Sequence, residues 1–294
     1  MKKLLLFLIP LFLFACNRAP RCEYVANWSD ADNARICAFL ESTRTNHGRK
    51  IAVFDIDGTL FGQVPFYLAD EAIFMDAAKY DYYEDDELDK NVAEISIRQA
   101  VANKMVAAKD HGTADYVKMR IEYLSGMTPA ECEGVGEMAF TEKFYNKSFP
   151  QMKTVIHNLQ SYNIEVWGLT ASPECLYRGF ISHEFNIPRD HVLGLRGKLV
   201  DGMITNEIDG AISMGVGKAE TIENRIGATP MIVAGNSMGD FEMIQKSVGL
   251  KIIVNPSPEF REKFDGDAAA IIVTVPDTDN GEDYLSREFG IKSN

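Results

Sequence analysis

"IAVFDIDGTLFG", residues 51–62, decides how this chain is to be read: four apolar β-formers, then two aspartates two apart, then a Gly-Thr turn. Ile51 to Phe54 make a short buried strand and Gly58 breaks it, so Asp55 and Asp57 fall at the strand's C-terminal end. In an open α/β sheet, ligands bind outside the carboxyl ends of the strands. The two carboxylates are therefore a candidate site, and other segments should bring partners to the same edge.

Downstream of this strand the pattern is helical, with no convincing strand run: Asp70 to Lys79, Asn91 to Lys109, Ala114 to Leu124, and a helix opened by Thr128-Pro129-Ala130-Glu131. That tetrad joins a capping threonine, a proline at the first helical position and a glutamate that reaches back. Upstream, Ser29 or Asp30 caps a helix carrying Ala34, Cys37, Ala38, Phe39 and Leu40. Alternation resumes near Pro150, with a helix bearing Met152, Val155, Ile156 and Leu159, the strand Ile164 to Leu169, and a helix beginning at Ser172-Pro173. The strand His191 to Leu195, a hairpin turning at Asp201-Gly202, a helix from about Gly217 to Ile226 and the strand Met231 to Ala234 follow. A helix near Asp240 to Gln245 and the strands Ile252 to Val254 and Ala270 to Val275 complete the series. This alternation predicts an α/β fold: a doubly wound, mainly parallel sheet in a Rossmann-like core. Residues 63–147 are expected as an inserted helical cap domain, with 16–62 and 148–294 forming the core. The acidic run Asp277 to Asp283 is expected to be solvated.

With 294 residues, 46% of them hydrophobic, the chain can bury a sizeable core. Its formal charge of −13 argues against nucleic acid as a partner, which needs a basic face. Lys2 and Lys3 precede an 11-residue apolar run, Leu4 to Phe14, too short to span a bilayer and suited to a signal peptide over residues 1–15. Leu13-Phe14-Ala15-Cys16 resembles the bacterial lipoprotein processing box. The resemblance implies an exported chain, lipid-anchored through Cys16 and facing the periplasm; Asn17 favours the outer membrane by the enteric rule. A plain secretory signal or an uncleaved anchor is the alternative. Export would put Cys22, Cys37, Cys132 and Cys175 in an oxidising space, where three pairings are open and Cys22 with Cys37 closes a short loop. No cysteine pair has C-x-x-C spacing, and His47, His111, His157, His183 and His191 are scattered without metal-ligand spacing.

Four stretches fall at strand ends or helix starts: "DIDGTL" at 55–60, "LTASP" at 169–173, "GVGKAE" at 215–220 and "AGNSMGD" at 234–240. A parallel sheet sends all of them to one edge, where they supply carboxylates, a hydroxyl with backbone N–H groups at a helix N-terminus, and a lysine. Taken singly, an aspartate after a strand is usually a turn residue and a lysine is usually solvated. In this order and spacing the set resembles the haloacid dehalogenase superfamily of aspartate-nucleophile phosphatases, over residues 50–255. The place of the helical insertion is similar to that of the cap in the phosphoserine and phosphorylcholine phosphatase branches.

The resemblance implies a role for each residue. Asp55 is the nucleophile that takes the phosphoryl group, and Asp57 is the acid and base that serves leaving alcohol and attacking water. Thr170 and Lys218 complete the catalytic set, and Gly58, Thr170, Ala171, Ser172 and Lys218 the phosphate-binding set. Mg²⁺ is expected on Asp55, the Asp57 carbonyl, Asn236 and Asp240, because close carboxylates repel and an oxygen-seeking cation offsets them. Asn236 departs from the branch, which usually carries aspartate there, so Asp240 is expected as the main acidic ligand, direct or through water. A dehalogenase has no leaving alcohol for Asp57 to protonate, and P-type ATPases need membrane helices. The expected substrate is a small phosphomonoester: phosphorylcholine, phosphoethanolamine or phosphoserine, in no order. Cap aromatics (Phe61, Phe66, Tyr67, Phe74, Tyr80, Tyr82, Tyr83, Tyr116, Tyr123) can cage a quaternary ammonium, with Asp85, Asp86 and Glu87 adding attraction, although most are expected in the cap core. The reading from another class is a catalytically weak surface lipoprotein that binds a ligand or partner. Oligomeric state is not legible.

Overall fold

The computed structural model describes residues 21–63, 66–79, 92–108, 110 and 112–277. In chain order the strands are β1 (Ile51–Phe54), β2 (Glu165–Pro173), β3 (Val192–Leu195), β4 (Gly197–Val200), β5 (Met203–Ile208), β6 (Ile232–Gly235), β7 (Leu250–Val254) and β8 (Ala270–Val273). Six of them form one sheet in the order β3-β2-β1-β6-β7-β8, every pairing parallel, while β4 and β5 make a separate antiparallel hairpin. The chain steps outward from β1 to β3, returns to the other side of β1 as β6, and steps outward again. The order therefore reverses between β1 and β6, which is the switch point where such sheets open a crevice.

Alternation along β1 divides the core. Ala52 and Phe54 join one large apolar cluster, Ile51 and Val53 a second on the opposite face. The helices that cover the sheet are α1 (Asp30–Ser42), α2 (Leu68–Lys79), α3 (Val92–Ala107), α4 (Ala114–Leu124), α5 (Pro129–Ala139), α6 (Pro150–Ser161), α7 (Cys175–Phe185), α8 (Val216–Thr221), α9 (Phe241–Ile244) and α10 (Pro258–Glu262). The expected capping box at α5 is present: Thr128 accepts from the Glu131 N–H and the Glu131 side chain reaches back to the Thr128 N–H.

Several expectations need correction. Helix α1 buries Asn33, Ile36 and Leu40, and leaves Ala34 and Ala38 exposed. Its inward face is set by Asn33, whose amide bonds both the N–H and the carbonyl of Val25 and folds the preceding arm back, and by the Cys22–Cys37 disulfide. Strand β2 continues to Pro173, because a register shift lets Pro173 pair with Leu195 after Leu169 has paired with Leu193. Helix α7 consequently starts at Cys175, and Ser172-Pro173 belongs to the strand end. Asp277 is not solvated: it accepts from the Gln63 N–H at 3.0 Å and pairs with the buried Lys147 at 3.2 Å. The signal segment with Cys16, the aromatic and acidic residues 80–87, Lys109, His111 and residues 278–283 lie outside the described residues. No helix among the described residues is long and apolar enough to cross a membrane.

The helices α2 to α5 leave and rejoin the sheet at one place. Phe61 bridges Ser148, Gly62 donates to the Lys147 carbonyl and Phe149 to the Leu60 carbonyl, both at 2.9 Å. They are then fastened a second time, because Cys132 of α5 is disulfide-bonded to Cys175 of α7. These two helices touch backbone to backbone: a Cβ on Gly136 would stand 1.8 Å from the Leu176 carbonyl oxygen. The Gly136→Ala variant should lose about 1–3 kcal/mol of stability through overpacking, read as a lower midpoint in urea, while Gly134→Ala, where a Cβ meets nothing within 4 Å, should lose none.

Candidate active site

The turn after β1 builds the centre of the site. Asp55 donates its N–H to the Ala234 carbonyl, which ties the end of β1 to β6, and the turn closes with Leu60 N–H on the Ile56 carbonyl and Gly58 N–H on the Phe61 carbonyl. Gly58 has φ of +80°, and a Cβ there would stand 2.1 Å from Asn236 Nδ2. Glycine is required twice at this position, for its backbone angle and for the side chain of Asn236 that lies against it.

Lys218 on α8 reaches both Asp55 Oδ1 and Asp240 Oδ1 at 2.5 Å, and all three groups are buried. The second oxygen of Asp55 accepts from Thr59 Oγ1 at 2.9 Å. The second oxygen of Asp240 accepts from the N–H groups of Asn236 and Ser237 and from Ser237 Oγ, at 3.0 to 3.2 Å. Asp240 thus stands as a counter-charge to Lys218, with its second oxygen held by its own turn. Asp57 is held separately: Tyr177 OH donates to Oδ1 at 2.9 Å and Thr170 Oγ1 to Oδ2 at 3.0 Å.

Thr170 and Ser172 come from β2 as expected, but as a bulged strand end rather than a helix N-terminus. The Ser172 N–H donates to Thr170 Oγ1 at 3.0 Å, and Gly194 of β3 makes room, since a Cβ there would stand 2.5 Å from the Ser172 carbonyl. Glu174 secures this end: it is buried, accepts from the Gly194 N–H and pairs with Arg178 and Arg225. Asp55, Asp57, Ala171, Ser172, Lys218, Asn236 and Asp240 all line one cavity of about 170 Å³, and Thr170 lies directly behind its wall.

Burial drives the proton affinities here. Removal from water, then repulsion from Asp240, pushes Asp55 up to about 7 against the pull of Lys218. Burial pushes Asp57 up to about 6, opposed by the hydroxyls of Tyr177 and Thr170. Burial lowers Lys218, yet attraction to Asp240 and Asp55 more than offsets it and keeps the ammonium charged.

The residues fit Mg²⁺. Asp55, the Asp57 carbonyl and Asn236 form an all-oxygen donor set once the Asn236 amide presents its oxygen, and Mg²⁺ takes one or two carboxylates, waters and substrate oxygens rather than a full protein cage. Among the described residues no three His, Cys, Asp or Glu side chains converge into a cluster that holds a metal unaided.

Sequence reasoning missed Arg120 and Asp70. Arg120 of α4 is buried, forks onto both oxygens of Asp70 from α2 at 2.8 and 2.9 Å, and donates to Ser172 Oγ at 3.0 Å. The signal was present: Tyr116, Val117, Arg120, Ile121 and Leu124 make one helical stripe, and an arginine on an apolar stripe needs a buried partner. Arg120 also lies over the rings of Tyr67 and Tyr116, at 5.8 and 5.4 Å. The aromatic cage is accordingly not assembled from the described rings. Phe61, Phe74, Tyr116 and Tyr123 are core residues, Phe66 packs on Phe144, and Tyr67 alone of the described set lines the cavity.

A family model for haloacid dehalogenase-like hydrolase matches residues 52–245. The chain belongs to that family, and the enzyme class expected from the sequence stands. A conserved, functionally unknown protein from Anaerococcus prevotii DSM 20548 superposes with a TM-score of 0.61 at 17% identity, over 88% of this chain and 97% of its own. A protein of unknown function from Bordetella pertussis Tohama I does so with a TM-score of 0.57 at 19% identity, over 76% of this chain and 98% of its own. A phosphoserine phosphatase solved as a phospho-aspartyl intermediate analogue gives a TM-score of 0.46 at 18% identity, over 79% of this chain and 95% of its own. A comparison with curated protein sequences finds no match.

An acid whose folded value lies above its unfolded one binds its proton more tightly when folded. Asp55 and Asp57 therefore contribute stability that is full at acid pH and is lost as pH rises from about 4 to about 7. The metal-free protein should show a urea midpoint that falls between pH 5 and pH 8, with a shallower fall in Asp55→Asn. Added Mg²⁺ should raise the midpoint more at pH 8 than at pH 5, because it competes with those protons.

Proposed function

We propose that the protein is a Mg²⁺-dependent phosphomonoester hydrolase that works through an aspartyl-phosphate on Asp55. One observation carries this reading: the two carboxylates of a single turn are held in different ways, Asp55 by the Lys218 ammonium together with the Thr59 hydroxyl and Asp57 by two neutral hydroxyls alone. That difference suits a nucleophile and a general acid. Asp55 attacks phosphorus in line, a bond from its carboxylate oxygen forms, and the bond to the ester oxygen breaks. Asp57 gives its proton to that departing oxygen; burial raises both carboxyls, and the Lys218 ammonium favours the ionised form of Asp55. Water then attacks the aspartyl-phosphate, Asp57 takes its proton, and inorganic phosphate leaves with Asp55 restored. Lys218 neutralises the phosphoryl oxygens, and Thr170 with the Ala171 and Ser172 backbone lies where charge gathers on them. Mg²⁺, when bound by Asp55, the Asp57 carbonyl and Asn236, supplies the further positive charge that four buried acidic and phosphoryl groups call for.

A cavity of about 170 Å³ suits a phosphoryl group with a short organic part, and phosphorylcholine, phosphoethanolamine and phosphoserine are of that size. The protein lacking residues 1–16 should release phosphate from one or more of these esters in the presence of Mg²⁺, and Asp55→Asn should reduce kcat by at least about 10⁴-fold. Phosphate release that survives in Asp55→Asn would sink the mechanism. A folded, Mg²⁺-loaded protein that releases none would favour the ligand-binding lipoprotein.

Export and lipid anchoring at Cys16 belong to the same reading. The disulfides Cys22–Cys37 and Cys132–Cys175 support it, since such bonds persist in oxidising compartments. In a Gram-negative host the full chain should fractionate with membranes, and Cys16→Ser should move it to the soluble fraction. An unchanged membrane share in Cys16→Ser would point to an uncleaved anchor.

A further inference from the structure

Asp57 is held from two sides by hydroxyls with different prospects. Thr170 Oγ1 donates to one oxygen, but on the phosphatase reading Thr170 also belongs to the strand end that would receive the phosphoryl group, and a hydroxyl has one proton to give. Once that proton is aimed at a phosphoryl oxygen, Asp57 loses this partner. Tyr177 OH donates its one proton to the other oxygen at 2.9 Å, with the Ser172 side chain beside it. Its ring is fully buried, edged by Phe61 at 6.4 Å and Phe180 at 5.5 Å, so water does not compete for the phenol.

The helix that carries Tyr177 is fastened at its first turn. Cys175, two residues before it, is bonded to Cys132, and the Leu176 carbonyl abuts Gly136. Packing alone would be met by phenylalanine; the hydroxyl adds the bond to Asp57 and an interaction with the Ser172 side chain. We infer that Tyr177 is a positioning residue for the general acid, holding the Asp57 carboxylate at the height of the leaving oxygen throughout both half-reactions. The inference rests on the phosphatase reading above. Tyr177 keeps its own proton: the proton that moves passes from the Asp57 carboxyl to the departing ester oxygen as the P–O bond breaks, and the phenol O–H bonds to the carboxylate that remains.

A residue acting through the general acid matters in proportion to how badly the leaving group needs a proton. The test is kcat and KM of wild type and Tyr177→Phe on p-nitrophenyl, phenyl and ethyl phosphate, with Mg²⁺ present. p-Nitrophenolate leaves as a stable anion and ethoxide does not. The expected result is a loss in kcat that grows along the series, slight on p-nitrophenyl phosphate and about 10²-fold on ethyl phosphate, with KM little changed. A loss equal on all three esters would show a merely structural role and overturn the inference, as would no loss on any. Wild-type protein inert towards all three and towards the small esters named above would overturn it together with the phosphatase reading, and so is distinguishable from a failure of Tyr177 alone; activity on the latter esters alone moves the comparison to them, where their poor alkoxide leaving groups should show the loss of about 10²-fold. If circular dichroism finds Tyr177→Phe unfolded, the wild-type crystal structure with beryllium trifluoride on Asp55 decides. Thr170 turned to the fluoride with Tyr177 still on Asp57 supports the inference; Asp57 swung off Tyr177 overturns it.

Discussion

Buried negative charge at the crevice between β1 and β6 is the constraint on which the rest depends. Asp55, Asp57 and Asp240 line one cavity, and the Lys218 ammonium meets two of them, Asp55 and Asp240, at 2.5 Å. The sum is negative and out of contact with bulk water, an arrangement that is costly unless every oxygen is partnered. Partners are indeed arranged around it: Thr59, Thr170, Tyr177 and the backbone of residues 236 and 237 each take one oxygen. The turn geometry at Gly58, the bulge at the end of β2 and the short helix after β6 are the backbone shapes that deliver those donors.

A second buried charge pair sits above the first and joins the helical insertion to it. Arg120 and Asp70 come from different helices of the insertion, and Arg120 also reaches Ser172 on the sheet edge. The largest apolar cluster runs without a break from Phe54 and Ile56 of the sheet to Tyr116, Cys132 and Phe140 of the insertion. Together with the Cys132–Cys175 bond, this packing makes α5 a neighbour of α7 as firmly as any core helix is. The α2–α4 side of the insertion faces the cavity, through Tyr67 and Arg120.

What could be read beforehand was what local chemistry writes into consecutive residues. The run at 51–54, the Asp55 and Asp57 spacing, the Thr128 capping box and the order of the four short stretches each have a signature within a few positions, and each was found where expected. Residues whose meaning depends on a distant partner were harder. Tyr177 looks like any aromatic on a helix until the fold sets its hydroxyl against Asp57, 120 positions earlier. Asp277 looked like part of an acidic tail until Lys147 and the Gln63 N–H were beside it. The start of α7 was misread because a proline after a serine signals a helix cap, whereas a parallel neighbour, β3, extended the strand through it.

The meeting of Phe61 with Ser148 has a consequence for how such a chain can change over time. Both ends of the insertion are paired to each other at its base, so its length and content do not set the register of the sheet. A foreign set of helices spliced between residues 62 and 147 would keep the register of the sheet but lose the Arg120 bond to Ser172 and the cavity wall at Tyr67 and Arg120. This chain attaches further conditions to the exchange. An incoming cassette must bring a thiol to meet Cys175 and a flat, side-chain-free spot to meet the Leu176 carbonyl, or the first turn of α7 is left without the footing that Cys132 and Gly136 now provide.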